Sequence, residues 1–230
     1  TVSLIVQWLL VRLDTRSWVI LARWEYSMSI PLISFFTGGG FLDLGFEQAG
    51  FDIVWTNEVN AAFADMYEYA VTNWRKAKGI GKPAQISERN SIASLSAESI
   101  MAQAFGSGRP EMAGIIGGPP CPDFSVAGKN GGVNGKTGIF SKTFIDLICQ
   151  IRPLFFVMEN VPGLYRTRYH RPYFQQLIEQ LEVGYGYVTD AKIVSALELG
   201  IPQDRDRLFL IGFQKHFVES CMGRAMMPGE

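Results

Sequence analysis

Histidine and cysteine are scarce: the 230 residues hold two histidines, His170 and His216, and three cysteines, Cys121, Cys149 and Cys221. Two histidines leave few candidates for a hydrolase triad or an imidazole-bound metal. Three thiols, an odd number without Cys-x-x-Cys spacing, exclude a disulfide framework and a zinc site of ordinary spacing, so no metal is expected. Unpaired thiols fit a reducing compartment, and the expected location is cytoplasmic. Long apolar runs are also missing. The stretch at residues 4–13 is broken by Gln7 and Arg12 and followed at once by Asp14 and Arg16. It falls short of the roughly 20 apolar residues that span a bilayer, and it lacks the basic start of a signal peptide. No membrane partner is expected. Excess charge is absent too, with a net charge of -1, so any contact with phosphates has to come from local basic clusters. The chain shows no internal repeat and no low-complexity segment.

What is present is a globular composition, 47% hydrophobic and 19% charged, enough for one well-packed domain and too short for two. Thr1 as the first residue is the start expected of a processed or cut chain. Residues 1–29 read as an extension, helical or strand-like, of no assigned role. From residue 30 the pattern becomes regular. Strands are expected at 32–37, 51–56, 112–116, 154–158, 188–194 and 208–213, and helices at 41–49, 60–74, 94–105, 140–151 and 173–181. Residues 75–91 and the Gly/Pro/Asn-rich stretch 117–138 read as loops. Strands alternating with helices at this spacing predict βαβ units, hence an α/β fold with a mostly parallel sheet covered by helices on both faces. In such sheets ligands sit beyond the carboxyl ends of the strands, so the loops there are where chemistry is sought.

The first of those loops is Phe36-Thr37-Gly38-Gly39-Gly40. Glycine there permits a tight turn and close approach of backbone to ligand. About twenty residues on, after the second strand, stands Glu58, placed to accept hydrogen bonds from a ribose. A glycine turn of this kind serves NAD, FAD, S-adenosylmethionine or structure alone. The dinucleotide spacing G-x-G-x-x-G is not met, because Asp43 stands where the third glycine belongs. That favours a nucleoside without pyrophosphate, and S-adenosylmethionine fits.

After the strand at 112–116 comes Gly117-Gly118-Pro119-Pro120-Cys121-Pro122. Prolines on both sides stiffen the backbone and exclude regular structure, holding the thiol at the sheet edge. Such a thiol is either a small buried turn residue or a nucleophile activated by nearby positive charge. Cys149, inside an apolar helix with Phe144, Leu147 and Ile148, has the structural setting that Cys121 lacks. Glu159 follows the strand at 154–158 and emerges at the same edge. It is either a loop acid or a carboxyl of raised pKa able to hold a proton. Gln203-Asp204-Arg205-Asp206-Arg207 precedes the last strand, where alternation puts Arg205 and Arg207 on one side; such arginines are solvated unless a ligand is near. A basic cluster (Arg166, Arg168, His170, Arg171) and the flanking Lys129, Lys136 and Lys142 could meet phosphates.

The order of these segments resembles the DNA cytosine carbon-5 methyltransferase family. The matching pieces are Phe36-Thr37-Gly38-Gly39-Gly40, Thr56-Asn57-Glu58, Pro119-Pro120-Cys121, Glu159-Asn160-Val161 and Gln203-x-Arg205-x-Arg207, and the resemblance covers residues 32–213. It implies a Rossmann-like S-adenosylmethionine-dependent methyltransferase fold at 30–213, with 214–230 a tail. It also implies double-stranded DNA as substrate, S-adenosylmethionine as methyl donor leaving as S-adenosylhomocysteine, and a restriction-modification setting. The target cytosine is flipped out of the duplex. Cys121 attacks carbon 6, Glu159 meets the N3 and amino edge, Arg207 holds the base carbonyl and Arg205 supports it. Ser125, with the loop to Gly138, closes over DNA. Phe36, Gly38, Gly39 and Gly40 surround the cofactor, Glu58 takes the ribose, Ser91 and Ile92 the adenine, and Pro120 and Phe140 wall the methyl. Ser125, Lys129, Arg166 and Arg168 are the expected DNA contacts.

Two departures stand out. The aspartate that family members place before isoleucine for the adenine amino group is replaced by Asn90-Ser91-Ile92. Beyond Phe213 neither a target-recognition region nor a closing Gly-Asn-Ser motif follows, and residues 1–29 hold no permuted copy. The expectation is a fragment, or a subunit whose second half comes from another polypeptide. Competing readings are an inactive partner that only binds cofactor or DNA, a tRNA cytosine methyltransferase, whose Cys-Phe-Thr signature is absent, and a cysteine hydrolase pairing Cys121 with His170.

Overall fold

The computed structural model describes residues 29–108, 110–120 and 138–225. The extension before Ser29, Cys121, Ser125, Lys129, Lys136 and most of the long loop lie outside the described residues. Six strands form one sheet in the order β2-β1-β3-β4-β6-β5. They are β1 (Pro31–Phe35), β2 (Asp52–Asn57), β3 (Gly114–Gly117), β4 (Phe155–Asn160), β5 (Tyr187–Ser195) and β6 (Asp206–Gln214). β1 pairs parallel with β2 and β3, β3 parallel with β4, and β6 antiparallel with both β4 and β5. The helices are α1 (Phe41–Gln48), α2 (Ala61–Ala77), α3 (Ala97–Phe105), α4 (Gly138–Ile151), α5 (Gly163–Arg166), α6 (Arg171–Glu179) and α7 (Lys215–Ala225).

Local chemistry explains several boundaries. Asn60 caps α2, its side chain accepting from the backbone N–H of Ala62 and Phe63, which satisfies two of the orphan donors at a helix start. Ser96 does the same for α3 through the N–H of Ser99. α4 stops where Arg152 turns left-handed (φ 54) and Pro153 cannot continue the helix. Pro172 stands at the start of α6, where its missing N–H costs nothing.

The central strands are buried on both faces, and their residues divide by parity. Ile33, Phe35, Trp55, Ile115, Phe156, Met158, Leu208 and Leu210 join the larger cluster, packed against Ile100 of α3, Phe144, Ile145 and Ile148 of α4, and Phe174 and Leu177 of α6. Leu32, Ile53, Ile116, Phe155, Val157 and Ile211 turn the other way, toward Phe46 of α1. A third cluster joins Ala64, Tyr67 and Val71 of α2 to Ala84 and Ile86 of the next loop.

Several features depart from the sequence reading. The stretch at 75–91 is not wholly loop: α2 runs to Ala77, and one parallel bridge joins Glu88 to Asn57 at the outer edge of β2. Asn90 therefore follows a single bridge and not a full strand. α6 runs on as one π-turn, Gln180–Gly184. The segment after Phe213 forms α7, whose Phe217 ring stacks on Phe213 at 6.0 Å. Among the described residues no helix is long and apolar enough to cross a membrane.

Candidate active site

The strand order reverses at β1: β2, the next in sequence, lies on one side of it and β3 on the other, both parallel to it. This is the switch point at which ligands of open α/β sheets bind, because the loops leaving the two strands diverge and open a crevice. The loops after β1 and β3 carry the glycine turn and the Pro-Pro-Cys segment.

The glycine turn is tightly determined. Gly38 (φ 53) and Gly40 (φ 86) are left-handed, a conformation that disfavours any side chain. A Cβ on Gly40 would also sit 2.8 Å from Val71 and 2.9 Å from Tyr67. Phe36 is left-handed as well, at φ 54, an uncommon state for a bulky residue and one that collects at functional turns. Its ring meets Phe140 of α4 edge-on, with centroids 6.2 Å apart. Gly38 N–H donates to Glu58 Oε2 at 2.9 Å, and Asn60 N–H donates to Glu58 Oε1 at 2.8 Å. The turn and the acid after β2 are thus one unit. Each carboxylate oxygen keeps a further lone pair.

Three observations fit a nucleoside carrying a charged amino-acid tail. Glu58 supplies a carboxylate beside a left-handed glycine turn. Gly40 gives α1 no side-chain cap, so the first N–H groups of that helix stay available to an acceptor. Among the described residues the buried Thr37 hydroxyl has no hydrogen-bond partner. That last feature escaped sequence reasoning, since threonine in a turn gives no sign of what surrounds it. Asn57 Nδ2 donates to the carbonyls of Glu88 and Asn90, both at 2.9 Å, drawing Asn90, Ser91 and Ile92 to the same edge. Ser91 caps a short 3-10 turn, its Oγ accepting from Ala93 N–H, and Ile92 is buried.

The second half of the site lies at the ends of β3, β4 and β6. Glu159 is not in a loop; it is the penultimate residue of β4, opposite Phe209 of β6. Arg207 Nε reaches Glu159 Oε1 at 2.8 Å, with both side chains about a quarter exposed. Burial pushes the Glu159 carboxyl above the ordinary range, and the guanidinium groups of Arg207 and, less strongly, Arg205 pull against it. Gly118 makes room for the pair, since a Cβ there would lie 3.1 Å from Glu159 Oε2. Asn160 Nδ2 donates to the Pro119 carbonyl at 3.3 Å. The Pro119-Pro120 turn, one residue short of Cys121, is therefore tied to the carboxyl-bearing strand end. Asn160 thus positions the turn, a role that sequence reasoning did not give it.

The expected basic cluster is divided. His170 is buried, and burial lowers its pKa, so it adds no charge to the surface at neutral pH. Arg171 lies over the Tyr165 ring at 5.5 Å. Arg166 pairs with Asp206 at 2.9 Å, Lys142 with Asp146 at 2.7 Å, and Arg168 is exposed.

A glycine turn joined to a carboxylate and a carboxyl–guanidinium pair at one edge of a Rossmann-like sheet narrow the possibilities, and comparison with known families decides among them. The family model for C-5 cytosine-specific DNA methylases matches residues 30–225. The chain belongs to that family. It is 46% identical over 194 residues to the Type II methyltransferase M.NmeDI of Neisseria meningitidis serogroup C, covering 82% of this chain and 45% of that protein. Against the Type II methyltransferase M.MthTI of Methanothermobacter thermautotrophicus the identity is 35% over 188 residues, covering 82% and 50%. The crystal structure of a prophage-encoded DNA modification methyltransferase (E. coli) superposes with a TM-score of 0.62 at 30% identity, over 83% of this chain and 48% of the other. Dnmt2 of S. pombe, at 15% identity and a TM-score of 0.56 over 87% and 56%, shares the fold. The chain spans about half the length of the curated relatives it matches.

Proposed function

We propose that this C-5 methylase-family chain carries the catalytic machinery for methylating carbon 5 of cytosine in double-stranded DNA, in a Type II restriction-modification setting. The observation that carries the reading is the Glu159–Arg207 pair held beside the Pro119-Pro120 turn that leads into Cys121. A base flipped into this crevice would present its N3 and amino edge to Glu159 and its carbonyl to Arg207. S-adenosylmethionine, seated at Glu58 and the glycine turn between Phe36 and Gly40, supplies the methyl group.

The chain's own residues then act as follows. The Cys121 thiolate adds to carbon 6, forming the S–C6 bond and moving the C5–C6 π electrons toward carbon 5 and the N3 side of the ring. Glu159, its carboxyl pushed above the ordinary range by burial, shares a proton with N3 and so stabilises that charge. Arg207 keeps the carboxyl aimed and neutralises the carbonyl oxygen. Once carbon 5 carries the methyl group, its proton is taken up by solvent, the C5–H electron pair forms the C5–C6 double bond, the S–C6 pair returns to Cys121 as thiolate, and the proton held at N3 goes back to Glu159. Phe36, Phe140 and Pro120 shield the reacting carbon from water. Ser91 and Ile92 face the adenine side, while Ser125, Lys129 and Arg168 meet the DNA backbone.

The test uses a pooled duplex library with 5-fluorocytosine in place of cytosine, which blocks loss of the group at carbon 5. With S-adenosylmethionine present, the chain should form a covalent adduct that maps to Cys121, and Cys121→Ser should form none. An adduct formed equally well by the serine variant would refute the catalytic assignment.

A further inference from the structure

β6 starts beyond the end of its inner neighbour. The last paired residue of β4 is Asn160, opposite Leu208. Among the described residues, Asp206 and Arg207 therefore have strand partners only on the outer side, where Ser195 and Val194 of β5 lie. Among the described residues, two side-chain contacts bridge the inner side. Arg207, turned toward one face of the sheet, meets Glu159 at 2.8 Å. Asp206, turned toward the other, meets Arg166 Nη1 at 2.9 Å. Arg166 closes α5, the short helix that follows the Glu159-Asn160-Val161 strand end, so both anchors leave the same piece of chain. Arg207 Nη1 also donates to the Asp206 carbonyl at 2.7 Å, which couples the orientation of residue 206 to that of the guanidinium.

We propose that Arg166 and Asp206 are positioning residues: their ion pair pins the free start of β6 from the face opposite Glu159 and thereby holds the Arg207 guanidinium against the Glu159 carboxylate. The inference deepens the methyltransferase reading, on which it rests for the role of that pair. It makes Arg166 a strut for the site and not a phosphate contact. A half-exposed ion pair adds little to stability; its value here is directional.

The sign of a charge effect makes the idea testable. Charged groups facing Glu159 are Arg207 and Arg205. Removing the negative charge of Asp206 would by direct electrostatics lower the Glu159 pKa, since a nearby anion disfavours a second one. If Asp206 instead holds Arg207 in place, its removal loosens a cation from Glu159 and raises that pKa. The full chain, labelled with 13C at glutamate side-chain carboxyls, is titrated by NMR, with Glu159→Gln assigning the resonance. Asp206→Ala should raise the Glu159 midpoint by about half a pH unit. Arg166→Ala should raise it by a similar amount, and the double variant no further. Arg166→Lys should retain most of the wild-type value, and Arg168→Ala, which removes an equal charge nearby, should leave it unmoved. A midpoint that falls or stays fixed in Asp206→Ala, or that moves as much in Arg168→Ala as in Arg166→Ala, overturns the proposal. The titration needs neither DNA nor cofactor, so its failure is separate from a failure to trap the Cys121 adduct.

Discussion

Asp43 allows a stringent test of how the glycine turn is built. It lies in the first turn of α1, fully buried, and accepts hydrogen bonds from Ser34 Oγ at 2.7 Å and Tyr67 Oη at 2.9 Å. Burial pushes its carboxyl from 3.8 to about 7, ahead of the opposing effects of the two hydrogen bonds, with Glu47 adding to the rise and Arg75 opposing it. A folded-state pKa above the unfolded value means that the folded chain binds more protons between those limits. The stability from this group is therefore complete below about pH 4 and is lost as pH rises toward 7. Asparagine imitates the protonated acid at every pH, since it is uncharged and sets a carbonyl acceptor beside a donor group. Relative to Asp43→Asn, the wild type should lose about 1.4 kcal/mol per pH unit through this window, or about 2–3 kcal/mol between pH 5 and 8 as the titration levels off. Urea unfolding at constant ionic strength, followed by circular dichroism at pH 5, 6, 7 and 8, measures the difference. A difference that stays within about 1 kcal/mol over that range, or that moves in favour of the wild type as pH rises, would refute the reasoning.

Two further outcomes are expected. Glu58→Gln keeps an oxygen able to accept from Gly38 N–H but loses the charge, so calorimetric affinity for S-adenosylhomocysteine should fall about 10-fold or more; unchanged affinity would remove Glu58 from the cofactor site. Arg75 is buried against Glu47, its Nε 3.1 Å from both carboxylate oxygens. Arg75→Ala should cost about 3–5 kcal/mol in urea unfolding, because a buried carboxylate is left unpaired, and Glu47→Leu with Arg75→Met should recover most of it.

How far the sequence could be read depended on the range of the interaction. The Asn60 cap acts within three residues, and the strand runs beginning at Leu32, Phe51 and Leu154 are short, largely apolar segments bounded by turn residues; each is legible in its own neighbourhood. Glu159 was expected just past its strand but lies inside it, because the antiparallel partner β6 extends the ladder to Asn160, and periodicity within one strand cannot see its neighbour. The attachment of Glu88 to β2 is a single bridge, too short to leave a pattern. His170 looked like part of a charged surface because arginines flank it, yet the packing of α6 buries it.

From residue types and their order alone follow the α/β alternation, the tight glycine turn and the set of reactive groups, since these rest on backbone sterics and on the chemistry each side chain carries wherever it is placed. Pairing and protonation are a different matter. That Arg207 faces Glu159, that Arg166 reaches Asp206 across 40 residues of sequence and that Asp43 is closed in by a tyrosine 24 residues away are products of strand register and helix packing. Electrostatic energy depends on distance and on exclusion of water, and both come into being only when the chain has folded.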